Sequence, residues 1–309
     1  MTSLIATSVI RGSRQGESHG GVYLIDLERE RVKQTIDWNT VDIDWQGRGW
    51  DRGLRGIAFD GEDIYIAASD ELFVFDREFN KINSYQCAYL KHCHEIFAYK
   101  RRLYLTSTGF DSILGFDLDE KRFSWGLNIS NGPKGLQGTP FSPGNDKGPV
   151  ASNQLHINNV FCTNLAMYFS GLKTDGMYNF NGRVISQSVT LPAGTHNARP
   201  HGDGVLFNDT QHDVVRLVSR DGEERIFKVP TYLEDQLTHT DFDDSRIARQ
   251  GFGRGLCTLS NNLVAAGSSP STITLHDLDT MQTTLSINLS LDIRSSIHGL
   301  EVWPFPLSD

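Results

Sequence analysis

Cysteine is scarce in this chain. Its 309 residues hold four, Cys87, Cys93, Cys162 and Cys257, and no CxxC pair. Two of them lie in predicted strands and read as small buried hydrophobes, as expected in a reducing cytoplasm. Long apolar runs are missing too: none approaches the roughly 20 residues that cross a bilayer. Met1 to Ile10 shows no basic n-region and no long apolar stretch, so no secretory signal is expected. Basic residues are outnumbered, giving a net charge of −9. That argues against a nucleic-acid footprint. No polybasic or amphipathic segment points to a membrane surface. Helical periodicity is almost absent. No GxSxG, P-loop or Rossmann glycine fingerprint occurs, so hydrolase-elbow, nucleotide and NAD readings find no support.

What is present is a repeat. A polar residue opens an apolar strand, a turn follows, and a second apolar strand comes about ten residues on. Arg55-Gly-Ile-Ala-Phe to Ile64-Tyr-Ile and His94-Glu-Ile-Phe-Ala-Tyr to Leu103-Tyr-Leu show it best. Weaker copies open at Asn158, Asn197 and Arg254. The last opening, His298-Gly-Leu-Glu-Val-Trp303, finds its second strand at the other end of the chain, in Leu4-Ile-Ala-Thr7. A repeat split across the termini closes a ring and removes two free sheet edges.

Third strands end at Asp or Asn turns, as in Leu72-Phe-Val-Phe-Asp76 and Ile113-Leu-Gly-Phe-Asp117, and lead into more polar fourth strands. The fold expected is all-β: one six-bladed β-propeller over 1–309, with four-stranded antiparallel blades closed by the C-terminal strand. Surplus length falls in connections near 38–52, 128–155 and 232–252, expected over the mouth of the channel. Long loops of this kind are usually functional or disordered, and three on one face favour a covered pocket over floppy insertions. The cluster Trp38, Trp45 and Trp50 would be odd in a merely solvated loop.

The opening residues, expected at that mouth, carry the candidate chemistry. Read around the ring they are His298, Arg55, His94, Asn158, Asn197 and Arg254, with His92, His156 and His196 beside them. His94, His156, His196 and His298 are candidate ligands for a divalent transition metal, which neutral imidazole suits. The same histidines could instead hydrogen-bond loop backbone and hold the mouth together. Arg55 and Arg254, with Arg199, form a cationic arc for a small anion. They could also seal neighbouring blades against Asp51, Asp63, Glu95 or Glu301. Asn158, Asn197 and Trp50 complete the expected substrate contacts. His94, His298, Arg55 and Arg254 are the expected catalytic set. Glu95 or Glu301 could act as general acid or base in a dry site, but alternation turns Glu95 away from the face of His94 and favours a structural role for it. Tyr65, Tyr104 and Tyr168 read as core or blade-interface residues.

The repeat form resembles six-bladed propellers of the NHL-repeat and gluconolactonase/strictosidine-synthase type, and also bacterial propeller proteins with no assigned activity. The gluconolactonase likeness implies a central calcium held by Asn, Asp and Glu at the blade openings. Asn158 and Asn197 match that pattern, whereas His298, His94, Arg55 and Arg254 replace the rest. Calcium wants six to eight oxygen ligands, so a transition metal is the better expectation. The function expected is a metal-dependent hydrolase or lyase for a small anionic substrate. The alternative is a non-catalytic propeller that binds a ligand, peptide or glycan at the same mouth.

Overall fold

The computed structural model describes residues 2–39, 53–242 and 249–307. Trp45 and Trp50 lie outside them, so the substrate contact expected of Trp50 does too. The strands form six antiparallel sheets. The first joins Ser295–Val302, Ser3–Ile10, Gly21–Asp26 and Arg31–Asp37. The second runs Ile57–Asp60, Asp63–Ala68, Glu71–Phe75, Lys81–Gln86. The third runs Ile96–Tyr99, Arg102–Ser107, Ser112–Asp117, Arg122–Gly132, Gly135–Phe141. The fourth is Ile157–Cys162, Met167–Gly171, Gly176–Phe180, Ile185–Thr190. The fifth is Thr195–His201, Gly204–Asp209, Val214–Val218, Glu224–Lys228, and the sixth Phe252–Thr258, Leu263–Ser269, Thr272–Asp277, Gln282–Asn288. These are the blades of a six-bladed β-propeller. Glu234–Gln236 is a short 3-10 turn. Among the described residues no helix is long and apolar enough to cross a membrane.

Burial explains the order within each blade. Second and third strands such as Asp63–Ala68 and Glu71–Phe75 are buried almost throughout. Fourth strands such as Arg31–Asp37 and Gln282–Asn288 are mostly exposed, which is why they read as polar. The terminal strands pair as expected, with Leu4 opposite Val302 and Ala6 opposite Leu300.

The chain divides into two compact units, 1–55 with 200–309, and 56–199. In the second unit one core packs Tyr65, Leu105 and Phe116 between the second and third blades. Another packs Ile113, Val160 and Phe169 between the third and fourth. In the first unit Leu4, Ile273 and Ile297 join the first and sixth blades. There Phe227, Leu256 and Val264 join the fifth and sixth.

One connection is not the loop that composition suggests. Residues 128–155 begin as strand, because Leu127 and Ile129 alternate inward and are both buried. The chain then turns at Gly132 to Gly135, where Gly135 takes a φ of 110°, and returns as a fifth strand. Glycine suits that turn because it tolerates positive φ. Leu127 faces Pro140 and Ile129 faces Gly138 across the added pair.

His276, on the third strand of the sixth blade, is buried between the hydroxyls of Thr274 and Thr283, with its ring against Phe227. Burial lowers its pKa to about 4 from an ordinary 6.5. A depressed imidazole favours the fold while neutral. Its contribution is whole above pH 6.5 and fades as pH falls through 4. At about 1.4 kcal/mol per pKa unit, roughly 3 kcal/mol is lost over that span. Denaturation of wild type and His276→Gln from pH 7 to 4 should show a shallower decline in the variant. Parallel declines would contradict this.

Candidate functional site

The polar residues that open the repeats sit where the first strands leave regular pairing. Pairing shifts register between Ile157 and Asn159, and again between Gly253 and Leu256. It shifts a third time between Ala6 and Ser8, opposite His298 and Gly299. Bulges of this kind re-aim side chains. Gly255 supplies a φ of 72° just after Arg254, and Asn197 itself takes 53°. In the third blade the hydroxyl of Thr106 does a similar job. It accepts from the amides of both His94 and Glu95, at 3.0 and 3.1 Å.

The second unit gathers most of the candidates. His94 is buried. Its Nδ1 lies 2.7 Å from the carbonyl of His92 and 3.0 Å from Thr108 Oγ1. The Thr108 hydroxyl proton is already given to the carbonyl of Ile157 at 2.6 Å. Nδ1 is therefore the N–H donor in both contacts, and in the neutral ring the lone pair belongs to Nε2. His156 stands edge-on to His94, ring centroids 5.2 Å apart, with its Nδ1 2.9 Å from Asn153 Oδ1. His196 is buried and sets Nδ1 3.2 Å from the carbonyl of Gly194. Each ring directs Nδ1 at a carbonyl oxygen, an arrangement that fixes tautomer and orientation.

Glu95 belongs to this group. Its carboxylate accepts from Asn197 Nδ2 at 2.8 Å. Burial raises its pKa, opposed by the charge of Arg199 and by the Asn197 bond. Arg199 is buried, with its guanidinium 5.9 Å from the centroid of Phe161. Asn158 Nδ2 donates to the carbonyl of Thr195 at 3.2 Å, and Asn159 Nδ2 to that of Ala198. His94, Glu95, Asn158, Asn197 and Arg199 are thus tied together from three blades. The buried Arg199 Nε and Asn158 Oδ1 have no hydrogen-bond partner among the described residues.

A carboxyl whose folded pKa is raised favours the fold when protonated. Its contribution is full below the ordinary carboxylate range and is lost as pH rises through the raised value. Glu95→Gln should therefore gain stability over wild type between acid and neutral pH. Denaturation midpoints across that range check it, and an unchanging difference would contradict it.

In the first unit Arg254 Nη1 donates to His298 Nε2. That nitrogen holds the lone pair, so the proton of the neutral ring is on Nδ1. The lone pair that would serve a metal through Nε2 is turned to Arg254. Thr7 joins Arg55 to the same place. Its hydroxyl donates to the carbonyl of Arg55 at 2.5 Å and accepts the amide of Gly299 at 2.8 Å. The guanidiniums of Arg11, Arg249 and Arg254 lie 5.4, 4.8 and 4.6 Å from the ring centroid of Phe252. Among the described residues no three His, Cys, Asp or Glu are grouped to hold a metal ion.

Asp111, which the sequence pattern does not single out, builds the approach to His156. Its buried carboxylate accepts from Ser152 Oγ and the amides of Gln154, Leu155 and His156 at 2.7–3.2 Å.

The class this architecture defines is the six-bladed β-propeller. No protein-family model and no curated protein sequence matches the chain. Solved structures do. A protein of unknown function from Bacteroides caccae is 9% identical, with a TM-score of 0.60 over 98% of this chain and 99% of that one. A chain of the nidogen/laminin complex is 10% identical, with a TM-score of 0.59 over 98% of both. AztD from Citrobacter koseri is 9% identical, with a TM-score of 0.50 over 94% and 82%. At these identities the likeness shows the fold alone.

Proposed function

We propose that the blade openings of the second unit bind a small anionic molecule and move a proton on it, in a hydrolase or lyase reaction. One observation carries this reading. The buried Arg199 Nε–H and Asn158 Oδ1 have no partner among the described residues, beside a buried carboxyl and an imidazole of fixed tautomer. Buried polar groups are nearly always satisfied, so an acceptor from a ligand suits Arg199 and a donor suits Asn158. Arg199 is the anion contact, aided by Asn197. His94 takes or gives the proton at Nε2. His156 and His196 shape the imidazole side of the site.

Three imidazoles, two carboxamides, one carboxyl and a guanidinium do not supply the six to eight oxygens calcium needs, so the gluconolactonase pattern is not carried over. Proton transfer by His94 does not depend on a metal. Elemental analysis of protein purified without a histidine tag decides whether a transition metal joins it. A reducing, cytoplasmic setting goes with this reading, since Cys87, Cys93, Cys162 and Cys257 are thiols outside any disulfide.

Calorimetric titration with malonate and with inorganic phosphate tests the proposal. Wild type should bind one of them saturably. Arg199→Gln should weaken binding about tenfold or more, the size of a lost charged hydrogen bond. Equal binding by both proteins would overturn it. A purely binding role predicts no turnover of any anion that the wild type binds. The acid–base role predicts turnover that falls in His94→Ala while anion affinity stays.

A further inference from the structure

A cavity of about 360 Å³ lies in the second unit, at the other end of the strands that begin beside His94 and Asn158. The hairpin turns after Ile96–Tyr99 and Ile157–Cys162 frame it, and Pro140 of the fifth strand adds a wall. Strands of this length put it roughly 13–20 Å from the openings. It is a separate site.

Its lining mixes aromatic planes with hydrogen-bond donors. Trp125 and Tyr104 meet edge to face, centroids 6.1 Å apart. The Tyr99 hydroxyl donates to Asn164 Oδ1 at 2.7 Å, so that carboxamide keeps its NH2 for a ligand. Asn181 Oδ1 accepts the amides of Arg183 and Val184, which leaves its NH2 in the same state. The ammonium of Lys100 lies 5.0 Å from the Tyr99 ring centroid. Among the described residues, no acidic one lines the cavity. The volume is that of a small-ligand site.

We propose that this cavity binds the end of an acidic oligosaccharide, a sugar carrying a carboxylate. The C–H face of a pyranose packs on Trp125 and Tyr104. Its hydroxyls and ring oxygen accept from Asn164 and Asn181, and its carboxylate meets Lys100. A purely apolar ligand would leave the amide donors unused, and a cationic one would meet Lys100. The Cys162 thiol, also in the lining, is pushed up to about 12 by burial, so the site binds without covalent capture.

Calorimetry with digalacturonic acid, and with maltose as the neutral control, tests this. Wild type should bind the uronate saturably and maltose far more weakly. Lys100 and Asn164 are exposed, so Lys100→Ala and Asn164→Ala keep the fold. Lys100→Ala should weaken uronate binding about tenfold, and Asn164→Ala several-fold. Arg199→Gln should leave it unchanged, which separates this site from the blade openings. Equal affinity for maltose, no uronate binding, or binding lost in Arg199→Gln but kept in Lys100→Ala would each overturn the proposal.

Discussion

Asp111→Asn is expected to lower stability by about 4–5 kcal/mol, an exceptional loss for one atom type exchanged. The carboxylate is buried and accepts four hydrogen bonds, three from consecutive amides of the chain leading into Ile157–Cys162. Asparagine keeps one acceptor oxygen and turns an NH2 toward amides that need an acceptor. Each bond to a charged group contributes roughly 1.5–3 kcal/mol, and the four act as one unit, so the loss is less than their sum. The effect reaches the candidate site, because His156 N is one of the donors. Chemical denaturation gives the magnitude. Amide exchange of residues 152–156 should quicken in the variant more than that of Ile113 in the neighbouring core. A loss under about 1 kcal/mol, the size of one ordinary hydrogen bond, would show that Asp111 is not the anchor.

Thr7→Val is the second. The substitution is close to isosteric, so it removes the hydroxyl and little else. The carbonyl of Arg55 and the amide of Gly299 both lose their partner in a buried place. Unsatisfied buried groups cost about 1–3 kcal/mol each, so a loss of about 3 kcal/mol is expected. At roughly 2–4 °C per kcal/mol, Tm should fall by about 6–12 °C. The pairing of Ser3–Ile10 with Ser295–Val302 shifts register at this residue, so the hydroxyl replaces ladder bonds that the bulge removes. Thr7→Ser, which keeps the hydroxyl, should recover most of the loss. No recovery would assign the effect to methyl packing instead.

The blades are legible in the sequence because their second and third strands are buried almost throughout and so read as short apolar runs that end in turns. Leu72-Phe-Val-Phe-Asp76 is a buried strand ending in a turn, and the sequence writes it that way. The meeting of Leu4 with Val302 is legible for the same reason: each end carries half of a recognisable repeat. The fifth strand, Gly135–Phe141, is not. Its Gly, Pro, Gln and Thr content reads as loop, and its support comes from pairing with Arg122–Gly132. Strict alternation turns Glu95 from His94 and favours a structural role for it. Both residues precede the strand, and Thr106 holds both amides, so alternation does not govern them there. Asp111 is invisible to a sequence pattern because its partners lie 41–45 residues away and are mostly backbone amides, which no side-chain periodicity records. Trp50, expected from its neighbours Trp38 and Trp45, lies outside the described residues. The openings themselves are readable, but their geometry rests on bulges and on Gly255, which a repeat pattern does not reveal.

The most direct test is whether the imidazole of His94 and the guanidinium of Arg199 serve one ligand. Nitrogen NMR of ring-labelled protein, titrated with malonate, reads the imidazole directly. His94 is expected to start with its proton on Nδ1, its Nε2 signal to move as malonate saturates, and the movement to be lost in Arg199→Gln. A His94 ring protonated on Nε2 at the outset, or one that ignores an anion bound through Arg199, would contradict it.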